Sequence, residues 1–173
     1  TIKDIQSYIK ENQDKLKKDY VDFTYSKITP LELIGIDEYN NEFFDKIDEI
    51  ETKLLNNVNF DDIINFYNLK SIFKNKYIPK SDVIVVEEKI YKERNNEKFG
   101  LIDEGDYFLI YKIRNIDTKI PSLEDKEFEE EVRNFIFNKK KFEYNKEILK
   151  LINEDKITEK DFREIAAEKV KIE

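Results

Sequence analysis

Three features of the sequence predict an α+β fold, a small antiparallel sheet packed by helices with helical extensions at both ends. Apolar residues at helical spacing (Ile36, Tyr39, Phe43, Ile47, Ile50, Leu54) alternate along the chain with short period-two segments such as Val21, Phe23 and Tyr25. The 173 residues are 39% hydrophobic and include 13 Phe and 10 Tyr, enough to bury a core rather than remain disordered. Only 3 Gly and 3 Pro are present, which suits long helices and few tight turns.

In chain order, Ile2, Ile5, Tyr8, Ile9 and Leu16 predict a helix over Ile2–Lys18. Val21–Tyr25 follows as a half-buried strand that Pro30 ends. Gly35–Asn56 carries the long apolar stripe, and Asn56 and Asn57 suit its stop because Asn tolerates the left-handed conformation. Asn59 is placed to cap a further helix bearing Phe60, Ile63, Ile64 and Tyr67, with Asp61 and Asp62 in its positive first turn. Leu69–Ile78 reads either as a short strand or as an extended crossing. Ser81 and Asp82 can cap a helix over Val83–Arg94, although Val83–Val86 also has strand propensity. Phe99–Ile102 reads as a short strand, Asp103–Asp106 as a turn, and Tyr107–Ile116 as the clearest strand. Ser122, with Asp125 three residues on, is positioned to cap a helix reaching about Asn153. Phe128, Val132, Phe135, Phe142 and Leu149 follow heptad-like spacing there, interrupted by Lys139 and Lys146. Thr158 and Asp161 open a last short helix with Phe162, Ile165 and Val170. The organisation expected is a linking helix over 1–20, a domain over 21–118 and a helical extension over 119–173.

The composition excludes several chemistries. Without His or Cys the chain has no imidazole base, no Ser-His-Asp triad, no thiolate nucleophile and no Cys- or His-ligated zinc. Its net charge of -8 makes DNA and RNA poor partners. Asp103, Glu104 and Asp106 offer too few oxygen ligands for calcium and read as a solvated turn. No carboxylate pair has positional support for glycoside chemistry, and Lys139–Lys141 reads as a solvated helix face. No metal or cofactor is expected. No apolar run approaches the roughly 20 residues that span a bilayer. The chain begins at Thr1 and contains no Met, which reads as a piece of a longer protein whose targeting segment is not included.

Three stretches, Ile2–Thr29, Phe43–Leu69 and Asp106–Val132, carry a family resemblance. With the order of elements they resemble the parvulin-type peptidyl-prolyl isomerase domain of SurA-like and PpiD-like periplasmic foldases. Asn57-Val58-Asn59-Phe60 fills the turn where that family usually has Gly-x-Asp-Phe, with Asn57 in place of Gly. The resemblance implies a parvulin-like sheet and a periplasmic folding factor. Its partners would be unfolded or outer-membrane-bound polypeptides and the rest of its own chain. It would meet a membrane only through an anchor outside this sequence.

Two His residues of the active family fall, by alignment of the strands, at Tyr25 and at Phe108 or Leu109. The family's Gly-Gly-Asp-Leu-Gly segment has no counterpart, since residues 68–83 hold no Gly. The resemblance therefore implies a degenerate domain that keeps the scaffold and binds peptide without isomerase catalysis. The alternatives are a weakly active, His-free isomerase and a structural assembly domain. The expected peptide groove comprises Phe23, Tyr25, Tyr77, Tyr91, Phe108, Leu109 and Tyr111, because aromatic surfaces accept many sequences. The competing reading of each is core, since at least one face of the last strand must be buried. The long helix has two readings as well: pairing with the first helix or absent parts of the parent, and packing on the domain's own sheet.

Overall fold

Thr1 caps the first helix reciprocally: its hydroxyl accepts the Asp4 N–H, and its backbone nitrogen donates to the Asp4 carboxylate at 2.9 Å. The computed structural model describes residues 1–79, 86–154, 156–161 and 163–164. Helix α1 (Ile2–Glu11) and the short α2 (Gln13–Leu16) replace the single helix expected to Lys18. They part at Asn12, whose side-chain amide donates to the Tyr8 carbonyl at 2.9 Å and so competes with the helical backbone.

Strand β1 (Lys18–Ile28) begins before the expected Val21, because Lys18, Asp19 and Tyr20 already pair with residues 117–119. The helix expected over Gly35–Asn56 is also two. Thr29 caps, and Pro30 opens, a separate α3 (Pro30–Ile34), which Gly35 ends in the left-handed region at φ 75°. Asn40 then caps α4 (Asn41–Leu55) by accepting the Phe43 N–H at 3.0 Å. Ile36 and Tyr39 therefore leave the stripe and are exposed, while Phe43, Ile47, Ile50 and Leu54 are buried as expected.

Helix α4 stops as the two asparagines predict. Asn57 stands at φ 58°, its N–H reaches the Leu54 carbonyl, and the Val58 N–H reaches the Lys53 carbonyl, each at 2.9 Å. Asn59 caps α5 (Phe60–Phe66), where Asp61 receives Arg114 at 3.0 Å. The ambiguous crossing is a strand, β2 (Ile72–Tyr77), followed by α6 (Val86–Glu93). The expected cap at Ser81 and Asp82 and the start at Val83 lie outside the described residues. Strand β3 (Phe99–Asp103) turns through Gly105, at φ 79°, into β4 (Phe108–Lys119).

The four strands form one antiparallel sheet in the order β2-β1-β4-β3, an α+β arrangement with helices on both faces. On one face Ile28 and Ile110 join Phe43, Ile50, Phe60 and Ile63 of α4 and α5, with Phe99, Leu101 and Phe108 packed alongside. On the other face Val21, Phe23, Tyr25, Leu109, Tyr111 and Ile113 meet Ile90 of α6. Gly100 pairs with Tyr111 across the strands, and a Cβ there would lie 3.0 Å from the Tyr111 hydroxyl. The buried ring occupies the space a side chain would need.

The chain divides into two compact units, residues 17–120 just described, and residues 1–16 with 121–173. In the second unit the long helix α7 (Lys126–Asn153) begins later than Ser122 suggests. Asp125 is its cap and accepts the Glu127 and Phe128 N–H groups, whereas Ser122 accepts the Glu124 N–H in the preceding turn. Helix α7 pairs with α1: Tyr8 and Phe135 stack with centroids 6.4 Å apart, and Lys140 reaches Asp4 at 3.0 Å. Only the first part of its apolar stripe is enclosed. Phe128 and Val132 are buried, whereas Phe142 and Leu149 are exposed. Thr158 and Asp161 bond reciprocally as a helix start, and Phe162, Ile165 and Val170 lie outside the described residues.

Candidate functional site

Period-two alternation on β1 and β4 brings the expected site residues to the α6 face of the sheet. Phe23 and Tyr25 project from β1, Leu109 and Tyr111 from β4, and Tyr77 and Tyr91 close over them from β2 and α6. Phe108 does not join them. It lies one residue out of phase with Leu109, on the opposite face, where it meets the Phe43 ring at 6.0 Å. Phe23, Tyr25, Leu109 and Tyr111 are buried, so they form a closed floor rather than an open groove. Tyr77 and Tyr91 are half-buried and give the cluster its outer surface. Tyr77 meets Phe23 edge-on at 5.5 Å and Tyr91 at 6.0 Å, geometries that aromatic pairs favour.

A polar group not foreseen from the sequence stands at one edge of this floor. The Tyr25 hydroxyl donates to Glu87 Oε1 at 2.8 Å, and Lys74 Nζ sits 2.8 Å from the same oxygen. Burial disfavours the Glu87 charge, but hydrogen bonds from Lys74, from its own backbone and from Tyr25 outweigh that, and the carboxyl titrates below its ordinary range. Burial first, and the Glu87 carboxylate second, push the Tyr25 phenol well above its ordinary range. Neither group therefore exchanges a proton near neutral pH, the property that a general acid or base requires. Glu87 was detectable in principle. It stands three residues before Ile90, on the buried side of α6, where an unpaired charge is costly. Lys74 carried no such signal, because β1–β2 register alone brings it to Glu87.

The far end of the face is held by a second set of polar contacts. Tyr91 donates to the Asp19 carbonyl at 3.1 Å, Arg94 stacks on the Tyr91 ring at 4.1 Å, and Arg94 pairs with the Asp19 carboxylate at 2.8 Å. Thr118 also donates to Asp19, at 2.7 Å, and these bonds hold the Asp19 carboxyl below its ordinary range. A shallow cleft of about 350 Å³ opens beside them, lined by Ile78, Pro79, Tyr91, Arg94 and Lys17–Asp19. Among the described residues no group of three acidic side chains is arranged to hold a metal ion. Among them, too, no helix is long and apolar enough to cross a membrane.

Comparison with protein-family models, with curated protein sequences and with solved structures finds no match to this chain. The functional reading therefore rests on the residues and their geometry.

Proposed function

We propose that this chain is a parvulin-like domain of a periplasmic folding factor. It holds unfolded or outer-membrane-bound polypeptides by apolar contact and β-edge pairing, and it does not catalyse prolyl isomerisation. The observation that carries the reading is the order of elements: strand, helices, strand, helix and two strands in one antiparallel sheet, with helices before and after it. The resemblance rests on the order helix, strand, long helix, shorter helix, crossing segment, short helix, strand, long helix, to which the observed order adds α2, α3 and the strands β2 (in the crossing segment) and β3. The site supports the non-catalytic half of the proposal. Of the positions aligned with the family's His residues, Tyr25 and Leu109 belong to one closed cluster, and Phe108, the alternative to Leu109, is an apolar ring on the opposite face. Leu109 offers no polar group, and the Tyr25 hydroxyl is committed to Glu87. None of these positions therefore offers a free polar group to lower the barrier of about 18–20 kcal/mol for rotation about a peptide bond. The periplasmic location rests on the resemblance alone.

The test has two arms. Aromatic-rich unfolded peptides should bind saturably, and no binding at hundreds of micromolar would sink the proposal. In a protease-coupled assay of a proline peptide the rate should equal the uncatalysed one. A clear acceleration would turn the reading into that of a His-free isomerase.

A further inference from the structure

We propose that the open edge of β3, with the cleft beside it, is where an extended polypeptide segment adds as a fifth strand. This rests on the peptide-binding reading above and gives it a place. The outward groups follow from the ladder. The Ile113 N–H donates to the Lys98 carbonyl at 2.6 Å and the Glu104 N–H to the Tyr107 carbonyl at 3.0 Å, so 98 and 104 face β4. Pairing between them is regular, from Phe99↔Lys112 to Asp103↔Phe108. Because bonded and non-bonded pairs alternate in an antiparallel ladder, Gly100 and Ile102 also bond to β4, while Phe99, Leu101 and Asp103 present N–H and C=O outward. Among the described residues no other backbone hydrogen bond reaches those three.

The two edges of the sheet differ in how they are protected. Strand β2 carries Lys74 and Lys76, its register is broken by a bulge, and Lys76 stands at φ 48° with its N–H taken by the Asp22 carboxylate at 2.6 Å. Lysines and bulges of this kind are the usual means of blocking strand addition. Strand β3 has no bulge, and Phe99, Gly100, Leu101 and Ile102 run uncharged between Lys98 and Asp103. The Phe99 and Leu101 side chains turn to the α4 face, where a cleft of about 500 Å³ is lined by Leu54, Leu55, Phe99 and Leu101 together with Glu51, Glu97 and the single cation Lys98, a net acidic lining. An added strand would place every second side chain over that cleft. The favoured occupant is therefore an extended segment with apolar residues at alternate positions and basic residues flanking them.

The probe is a ten-residue peptide alternating Val and Ser with Lys at both ends, titrated into the ¹⁵N-labelled protein. Saturable shifts are expected at amides 99–103 and at Leu54 and Leu55. A version N-methylated on alternate amides should bind about tenfold more weakly, since it keeps its side chains and loses its edge hydrogen bonds. Leu55→Ser, which removes the apolar contact without adding a charge, should also weaken binding. Leu55 is 78% exposed, so the substitution leaves the fold intact. Shifts confined to residues 72–77 or to Tyr91, or equal binding of the N-methylated peptide, would overturn this placement while leaving peptide binding standing. No binding of this or any unfolded peptide would remove both. Shifts at 99–103 that grow with protein concentration alone, with a dimer in sedimentation, would assign the edge to a second copy and overturn the proposal.

Discussion

Tyr25 shows how one hydroxyl can change the character of an apolar face. Its ring packs with Phe23 at 6.0 Å, yet its oxygen anchors the buried carboxylate of Glu87 on that face. Removing the hydroxyl in Tyr25→Phe leaves Glu87 with Lys74, so the cost should be that of one charge-assisted hydrogen bond, about 1–2 kcal/mol by urea denaturation. An unchanged midpoint would show the bond contributes nothing. The buried phenols also set the alkaline limit of stability. Burial pushes Tyr111 up to about 12, Tyr67 rises to about 12 through burial and the Glu49 carboxylate, and Tyr77 and Tyr91 move the same way. Unfolded tyrosines lose their protons near pH 10. The stabilisation is therefore complete below that pH and is lost as pH rises from about 10 towards 12. Thermal melting should fall across that window, and Tyr111→Phe should shallow the fall. An identical alkaline slope in the variant would refute the assignment to Tyr111.

At the scale of elements, the boundaries are set by caps more than by periodicity. Asn57 ends α4 in the left-handed region, a conformation that β-branched residues pay heavily to adopt. Asn57→Val should cost about 1–2 kcal/mol, while Asn57→Gly should be neutral or slightly stabilising. Equal midpoints for the two variants would show that the turn is not strained. The stripe Phe43, Ile47, Ile50 and Leu54 was readable because a 3.6-residue period leaves a regular trace. The start of α4 was not, because Ile36 continues the spacing by coincidence and Gly35 closes a different, shorter helix. For α7 the heptad spacing was legible but its burial was not. Spacing fixes which side chains share a face, and only a neighbouring element decides whether that face is covered.

At the scale of the molecule, residues 17–120 hold both cores, one on each face of the sheet. A fragment spanning them should unfold in a single cooperative transition, with tyrosine fluorescence and far-ultraviolet circular dichroism tracking together. Non-coincident or absent transitions would show that α1 and α7 are needed for the sheet unit to fold. Two well-packed faces also explain why the aromatic residues were hard to apportion. In a one-sided sheet one phase of Tyr107–Tyr111 would be wet, and the alternation would itself separate core from surface. Here Phe108 and Leu109 pack on opposite sides, so phase distinguishes the two cores without marking either as a site.

By itself the sequence determined the α+β class, most of the helices, the clearest strand and the absence of imidazole and thiol chemistry, because periodicity, caps and composition are local quantities. Tertiary structure decided the strand order, the meeting of Tyr25, Lys74 and Glu87, and the placement of β2 and β3 at the two edges of the sheet. Those depend on register, which brings together residues far apart in the chain and leaves no trace in the spacing of either partner.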